Sequence, residues 1–293
     1  MARNWVRILV VGMGLWLASV LVTVLTANTN LVPTLILLGS FLLPVTFVSW
    51  VFETWRDEHV TTEIVVSAFV VGGILGVLGA AVLEAFLLHP SPQLFFGVGL
   101  IEEAVKLAAL LVVTRHMTRR HMRDGIVLGA TVGLGFAAFE TAGYAFNALL
   151  TMRGLSLDNL VKTELFRSVL APIGHGLWTG ILGGVLFDER RHGRAWRVCL
   201  AYLWVSFLHA LWDSAHMVAV VVTLLLTGTP WQYELLAQGY LPLPTAEQVR
   251  LMTSLSIGGL ALVAALGILT MARCWRAAIQ REAELSGALA PER

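Results

Sequence analysis

Charged side chains are scarce in this chain of 293 residues, where they make up 13% of the sequence against about 25% in an ordinary soluble domain. The 20 Lys and Arg nearly balance the 19 Asp and Glu, and no basic cluster is interleaved with aromatic residues. These shortages exclude an ordinary soluble protein and a nucleic-acid partner. The two cysteines, Cys199 and Cys274, are too few for a disulfide framework.

Long apolar runs are abundant instead, and 57% of the residues are hydrophobic. Eight of these runs reach about 20 residues, the length needed to cross a bilayer as a helix. They cover residues 6–26, 31–51, 64–88, 94–114, 125–150, 168–187, 198–226 and 251–272. The sequence therefore predicts an all-α fold, a polytopic transmembrane helical bundle of about eight spans, with residues 1–293 in one integral membrane domain.

The Lys and Arg residues fall unevenly between the two sides of this predicted bundle. Fifteen of the 20 lie on the side of the two termini. The other side holds only Arg153, Lys162, Arg167 and Arg250, and Lys106 lies inside a span. By the positive-inside rule, we expect both termini to be cytoplasmic.

The segment 227–248 on the opposite side has no Lys or Arg and carries Trp231, Tyr233 and Tyr240. Aromatic residues of this kind often anchor a segment at the level of the lipid headgroups. The pattern is compatible with such an interfacial segment or with a lid over a site.

Several ionisable residues lie inside the predicted spans, where each Asp, Glu or Lys costs about 2.5–3.5 kcal/mol on insertion scales. They are Glu102, Glu103 and Lys106 in span four, Glu140 in span five, His175 in span six, and His209, Asp213 and His216 in span seven. At about 1.5 Å per helical residue, the acids and His175 lie roughly 10–20 Å below the outer boundary. A shared depth on four helices predicts one polar cavity.

The spacing within each helix supports this prediction. Glu102 and Lys106 are four residues apart and share a helix face, as do His209 and Asp213. Glu103 points about 100° away from Glu102, so we expect only one of these two acids to face the cavity. Glu84, near the end of span three, is interpreted as an interfacial residue.

Four short motifs on consecutive spans resemble those of the PrsW family of bacterial intramembrane proteases, which is related to the CAAX-processing membrane proteases. The matching segments are EEAVK at 102–106, GLGFAAFE at 133–140 after Asp124 and Gly125, GHGLWT at 174–179, and HALWD at 209–213. The resemblance covers about residues 94–220, which we take as a protease-like core.

The resemblance implies hydrolysis of a peptide bond in a membrane-protein substrate, such as a single-span anti-sigma factor, within a bacterial plasma membrane. A buried carboxylate can serve as a general base near neutral pH. Either Glu102 or Glu103 would then activate water, and Lys106 would tune the pair. His175 and His209 would polarise the carbonyl or bind a metal, with Glu140 and Asp213 orienting them.

The sequence leaves the cofactor open between none and zinc. The zincin motif HExxH is absent. His175, His209 and one of Glu140 or Asp213 would still supply three ligands with an open position. Two other classes remain as alternatives: a proton-coupled transporter, since intramembrane acids and histidines also form proton relays, and a non-enzymatic scaffold.

Overall fold

The computed structural model describes residues 3–55, 60–91, 94–188, 193–240 and 242–288, and these are almost entirely helical. The helices are α1 (Asn4–Thr26), α2 (Val32–Thr54), α3 (Thr62–Leu87), α4 (Leu94–Val113), α5 (Met122–Leu149), α6 (Leu157–Leu170), α7 (Leu177–Leu186), α8 (Arg194–Thr227), α9 (Pro230–Ala237) and α10 (Ala246–Ala288). A two-stranded antiparallel hairpin, β1 (Leu150–Thr151) and β2 (Gly154–Leu155), joins α5 to α6. The all-α polytopic bundle is confirmed.

Within the described residues, seven helical segments are long and apolar enough to cross a membrane. They correspond to all the predicted spans except the fourth. Helix α4 has 20 residues and a predominantly apolar sequence, but it carries Glu102, Glu103 and Lys106. This helix packs against α3 and α8, and counting it as a span gives the eight predicted from the sequence.

The sixth span differs from its prediction, because it begins earlier and is broken. Helix α6 begins at Leu157, where the Ser156 side chain accepts a hydrogen bond from the Asn159 amide (3.3 Å). A π-helical turn, Pro172–Gly176, then separates α6 from α7. Pro172 has no amide hydrogen for the helical ladder, and Gly174 has the non-helical angles φ −96° and ψ −107°. The break places His175 on an irregular turn.

Helix α5 is the central element, and most of its residues are buried. It runs antiparallel to α7 at very short distance, because a side chain at Gly125 would strike the Gly183 carbonyl and one at Gly133 would strike the His175 carbonyl. Glycine at these positions lets the two backbones touch. The contact fixes the π-helical turn, and His175 with it, against α5.

Ion pairs tie the helices together at one end of the bundle, which we name the arginine end. There Arg123 at the start of α5 pairs with Glu282 near the end of α10 (2.8 Å). Asp188, just after α7, pairs with Arg197 at the start of α8 (3.3 Å). The opposite end carries the β1–β2 hairpin, and we name it the hairpin end. Of the cations in the topology count, Arg56, Arg190, Arg191 and Arg293 lie outside the described residues.

The aromatic segment 227–248 is fastened to the start of α10. Gln232 on α9 and Gln248 on α10 exchange two amide hydrogen bonds (3.0 Å each) while both are buried. Trp231 and Tyr240 are exposed. These contacts hold the described part of the segment against α10, and the interfacial segment and the lid both stay predictions from the sequence.

Candidate active site

Lys106 is the centre of the polar cluster, and its side chain is completely buried. Its ammonium group donates to Glu102 Oε2 (3.0 Å), Glu103 Oε1 (2.9 Å) and His175 Nδ1 (2.8 Å). A lysine ammonium has three donors, and all three are used. The group also lies 4.0 Å from the centre of the Phe136 ring. Lys106 therefore joins α4 to the π-helical turn before α7.

The two adjacent acids of α4 have different surroundings. Glu103 is fully buried and, besides Lys106, contacts His209 Nδ1 (3.1 Å) and accepts a hydrogen bond from Thr179 (3.3 Å). Glu102 lines the larger of the two cavities at the cluster, whereas Glu103 lines neither. Glu103 thus connects the helices, whereas Glu102 faces the cavity. This agrees with the angle of about 100° around the helix axis that separates the two side chains.

Helix α8 contributes a histidine and an acid that lie next to each other, His209 and Asp213. His209 Nε2 lies 3.3 Å from Asp213 Oδ2 and 3.6 Å from Glu102 Oε2. Its other nitrogen faces Glu103, so both ring nitrogens are next to carboxylates, which suits a ring that donates from both. His216 is separate from the cluster and contacts Ser256 on α10 (3.2 Å).

His175 is held between Lys106 and Glu140. Because the Lys106 ammonium can only donate, His175 Nδ1 accepts, and the proton lies on Nε2. This Nε2 donates to Glu140 Oε2 (3.1 Å). The same oxygen accepts from Arg167 Nη2 (2.6 Å), while Arg167 Nε donates to Thr141 (3.4 Å). Arg167, from α6, thereby fixes the acid that orients His175.

Two cavities meet at this cluster. The larger, of about 660 Å³, is bounded by α3, α4, α5, α6 and α8 and reaches Glu102. The smaller, of about 130 Å³, reaches His175. Glu140, Tyr144, Arg167 and Asp213 line both. Asn147, near the hairpin end of α5, also lines the larger cavity, so this cavity extends from Glu102 towards the hairpin end.

Three side chains of the cluster have the donor set of a metal site. One ligand atom each of Glu102, His175 and His209 lies within 4.8 Å of the other two. Two imidazoles and a carboxylate form the protein ligand set of many catalytic zinc sites. Glu140 and Asp213, which the sequence offered as alternative ligands, instead lie beside His175 and His209 as their carboxylate partners.

The structure brings together the seven residues to which the sequence analysis gave a role in catalysis, and leaves His216 apart. The seven are Glu102, Glu103, Lys106, Glu140, His175, His209 and Asp213. The structure adds Arg167 and Thr179. It also places Glu84, which the sequence analysis interpreted as interfacial, on the wall of the larger cavity. The signal for Arg167 was its position seven residues, about two helical turns, before the GHGLWT motif. Its location in a predicted loop concealed its role.

The bilayer-spanning bundle and its buried acid–base cluster define an intramembrane peptidase. The family model described as "PrsW family intramembrane metalloprotease" matches residues 60–237, and the chain belongs to this family. The chain is also similar to Protease PrsW of Halalkalibacterium halodurans, with 30% identity over 181 residues that cover 57% of this chain and 79% of that protein. Protease PrsW of Geobacillus kaustophilus is 30% identical over 136 residues, or 44% of this chain and 54% of that protein.

No solved structure matches the chain significantly. The family match extends beyond the predicted core of residues 94–220 and includes α3 and α9. Since the family consists of peptidases, the transporter and scaffold alternatives are set aside.

Proposed function

We propose that the protein hydrolyses a peptide bond of a single-span membrane protein, with Glu102 as the base that activates water. The observation that carries this assignment is the difference between the paired acids. Glu102 lines the larger cavity, whereas Glu103 is enclosed by Lys106, His209 and Thr179. A general base has to reach the water that it deprotonates, and Glu102 is the acid of the pair with access to it.

The reaction follows from the positions of the donors and acceptors. Glu102 takes a proton from water, and the water oxygen attacks the carbonyl carbon of the peptide bond. The oxyanion that forms needs positive donors. Arg167, whose side chain lines both cavities, would supply one. Glu102 then returns the proton to the departing amine, which balances the hydrolysis.

Lys106 holds the base in place rather than touching the substrate, because its side chain is completely buried. It binds one oxygen, Oε2, of Glu102. It also fixes the proton of His175 on Nε2 by donating to Nδ1. A buried cation beside two carboxylates keeps their charges from repelling each other in a low-dielectric site.

The side of cleavage follows from the excess of Arg and Lys at the arginine end. We assign this end and both termini to the cytoplasm, by the positive-inside rule, and the protein to a bacterial plasma membrane. The larger cavity extends towards the hairpin end. The peptide bond would therefore be cut in the outer half of the substrate's span, and a single-span anti-sigma factor is one candidate substrate.

A metal-dependent form of the same hydrolysis is a second candidate, favoured by the Glu102, His175 and His209 set. Ligands of a tetrahedral zinc ion lie about 3.4 Å apart. Glu102 Oε2 lies 3.6 Å from His209 Nε2 and 3.9 Å from His175 Nδ1, so these two ligand pairs come close to the spacing that the ion requires. When bound, zinc supplies a Lewis acid and lowers the energy needed to form hydroxide. Lys106 would have to leave Glu102 and His175.

The experiment is cleavage of purified single-span substrates by the wild type and by matched Glu-to-Gln variants. Glu102→Gln should lose activity by at least about 100-fold and keep its fold, because its side chain faces a cavity. Glu234→Gln, at an exposed position of α9, should behave as the wild type. Wild-type activity in Glu102→Gln would reject Glu102 as the base.

The metal question has its own measurement, which is elemental analysis of the purified protein combined with activity after exhaustive chelation. Glutamate-only hydrolysis predicts full activity after chelation. The metal-dependent form predicts about one bound zinc per chain, lost from His209→Ala, and activity restored by added Zn²⁺.

A further inference from the structure

Glu84 is an acid on the wall of the larger cavity to which neither the motifs nor the proposed reaction gives a role. It belongs to α3, where Val77, Ala80, Ala81 and Glu84 line the cavity with the spacing of one helix face. The short side chains of Ala80 and Ala81 leave space beside the Glu84 carboxylate. A substrate side chain that enters the cavity can therefore approach it.

Glu84 lies at nearly the depth of Glu102. Helices α3 and α4 are antiparallel neighbours, with Gly79 against Val105 and Gly97 against Leu88. This register places Glu84 level with residues 100–101 of α4. The offset from Glu102 along the helix axis is therefore about 2–3 Å, which is less than the length of one extended residue.

Four acids line the larger cavity, and three of them are paired with a basic side chain. Glu102 is paired with Lys106 (3.0 Å), Glu140 with Arg167 (2.6 Å) and Asp213 with His209 (3.3 Å).

In contrast, Glu84 Oε1 is buried and has no hydrogen-bond partner among the residues that the structure describes. An unpaired carboxylate oxygen is unfavourable away from water. The one cation on the cavity wall within the described residues, Arg167, already binds Glu140.

We propose that Glu84 is a specificity-determining residue that binds a cationic side chain of the substrate, Lys or Arg, within two residues of the scissile bond. The inference rests on the proposed hydrolysis in this cavity. A buried charge without a partner is strongly unfavourable, so an acidic or apolar side chain that leaves Glu84 unpaired is selected against. Glu84 would thereby select both the sequence and the position of the cut.

The test uses one single-span substrate in which each of the two residues on either side of the scissile bond is changed in turn to Lys, Gln or Glu. Cleavage is measured in a non-ionic detergent without amino lipids, so that the substrate supplies the only new cation. The enzymes are the wild type, Glu84→Gln, Glu84→Lys and, as a matched control, Glu63→Gln. Glu63 is exposed in the first turn of the same helix, far from Glu84.

At one of these positions, the wild type should favour Lys over Gln by at least about tenfold in kcat/KM. The ratio should approach one in Glu84→Gln, and Glu84→Lys should favour the Glu substrate. Glu63→Gln should keep the wild-type ratio.

Three results would overturn the proposal. The first is a wild type that shows no charge preference at any of the four positions. The second is an equal loss of activity on all three substrates in Glu84→Gln, because this would mean a structural or catalytic role. The third is a reduced ratio in Glu63→Gln. A wild type that cleaves no substrate would instead contradict the proposed hydrolysis, and the specificity inference would fall with it.

Discussion

Lys106 Nζ and His175 Nδ1 lie 2.8 Å apart, although 69 positions separate them in the sequence. This contact links the two halves of the cluster. On one side it leads through Glu103 to His209 and Asp213, and on the other through Glu140 to Arg167. The acids and bases of five segments, α4, α5, α6, the π-helical turn and α8, thus form one hydrogen-bonded chain. A substitution at one end of this chain should therefore affect the residues at the other end.

Glu103 is predicted to be required for stability more than Glu102. In Glu103→Gln, Lys106 and His209 each lose a charged partner in the interior, which should lower the free energy of unfolding by on the order of 3 kcal/mol. The measurement is unfolding of the purified protein in increasing SDS, compared with Glu102→Gln and with the exposed control Glu234→Gln. Equal stability of Glu103→Gln and the wild type would remove the anchoring role of Glu103.

Arg167 is predicted to act on the reaction in two ways, by holding Glu140 and by facing the oxyanion from the cavity wall. In Arg167→Gln, Glu140 loses the hydrogen bond that it accepts from Arg167 Nη2 (2.6 Å). Because Glu140 orients His175, kcat/KM should fall by about 10- to 100-fold. Arg167→Lys keeps the charge without the forked geometry and should recover part of the activity. Arg153→Gln, in the exposed hairpin turn, is the control. Full activity in Arg167→Gln would contradict both roles, the support of Glu140 and the contact with the oxyanion.

Gly133 is predicted to be indispensable for the position of His175. A Cβ at Gly133 would lie 2.1 Å from the His175 carbonyl oxygen, so Gly133→Ala has to push the π-helical turn away from α5. We expect a loss of activity and about 1–3 kcal/mol of stability. At Gly258 on α10, an added Cβ meets no atom within 4 Å, and Gly258→Ala should be neutral or stabilising. An active, stable Gly133→Ala would contradict the close packing.

Much of the cluster could be predicted from the sequence, because ionisable residues inside apolar runs are conspicuous. Glu102, Lys106, His209 and Asp213 were assigned to shared faces from their spacing alone. Arg167 was not found, since the polar residues of α6 lower the hydropathy before residue 168. Their burial depends on partners elsewhere in the chain. Glu164, for example, is buried against Trp16 of α1, which donates to it at 2.9 Å.

The difference between Glu102 and Glu103 could be predicted only in part. The sequence showed that two adjacent acids cannot both face one cavity, but which of them does so depends on how α4 is rotated. Contacts of α4 with α8, such as Tyr202 donating to the Leu100 carbonyl (2.8 Å), fix that rotation. Likewise, Glu84 could be recognised as a cavity residue only after α3 and α4 were packed together.

The membrane orientation can be tested with a reporter enzyme that is active only outside the cytoplasm. Fused to the C-terminus, it should be silent, because the arginine end carries most of the Lys and Arg residues. Inserted at Arg153 in the hairpin turn, it should be active. The reverse pattern would invert the bundle and move the predicted cut to the cytoplasmic half of the substrate.

The most direct test of the proposed reaction is mass spectrometry of a single-span substrate cleaved in ¹⁸O-labelled water. We predict one cut in the outer half of the substrate's span, with the label in the newly formed carboxylate, and no such product from Glu102→Gln. Labelled product formed by Glu102→Gln at the wild-type rate would contradict water activation by Glu102. A cut in the cytoplasmic third of the span would contradict a cavity that extends towards the outer surface.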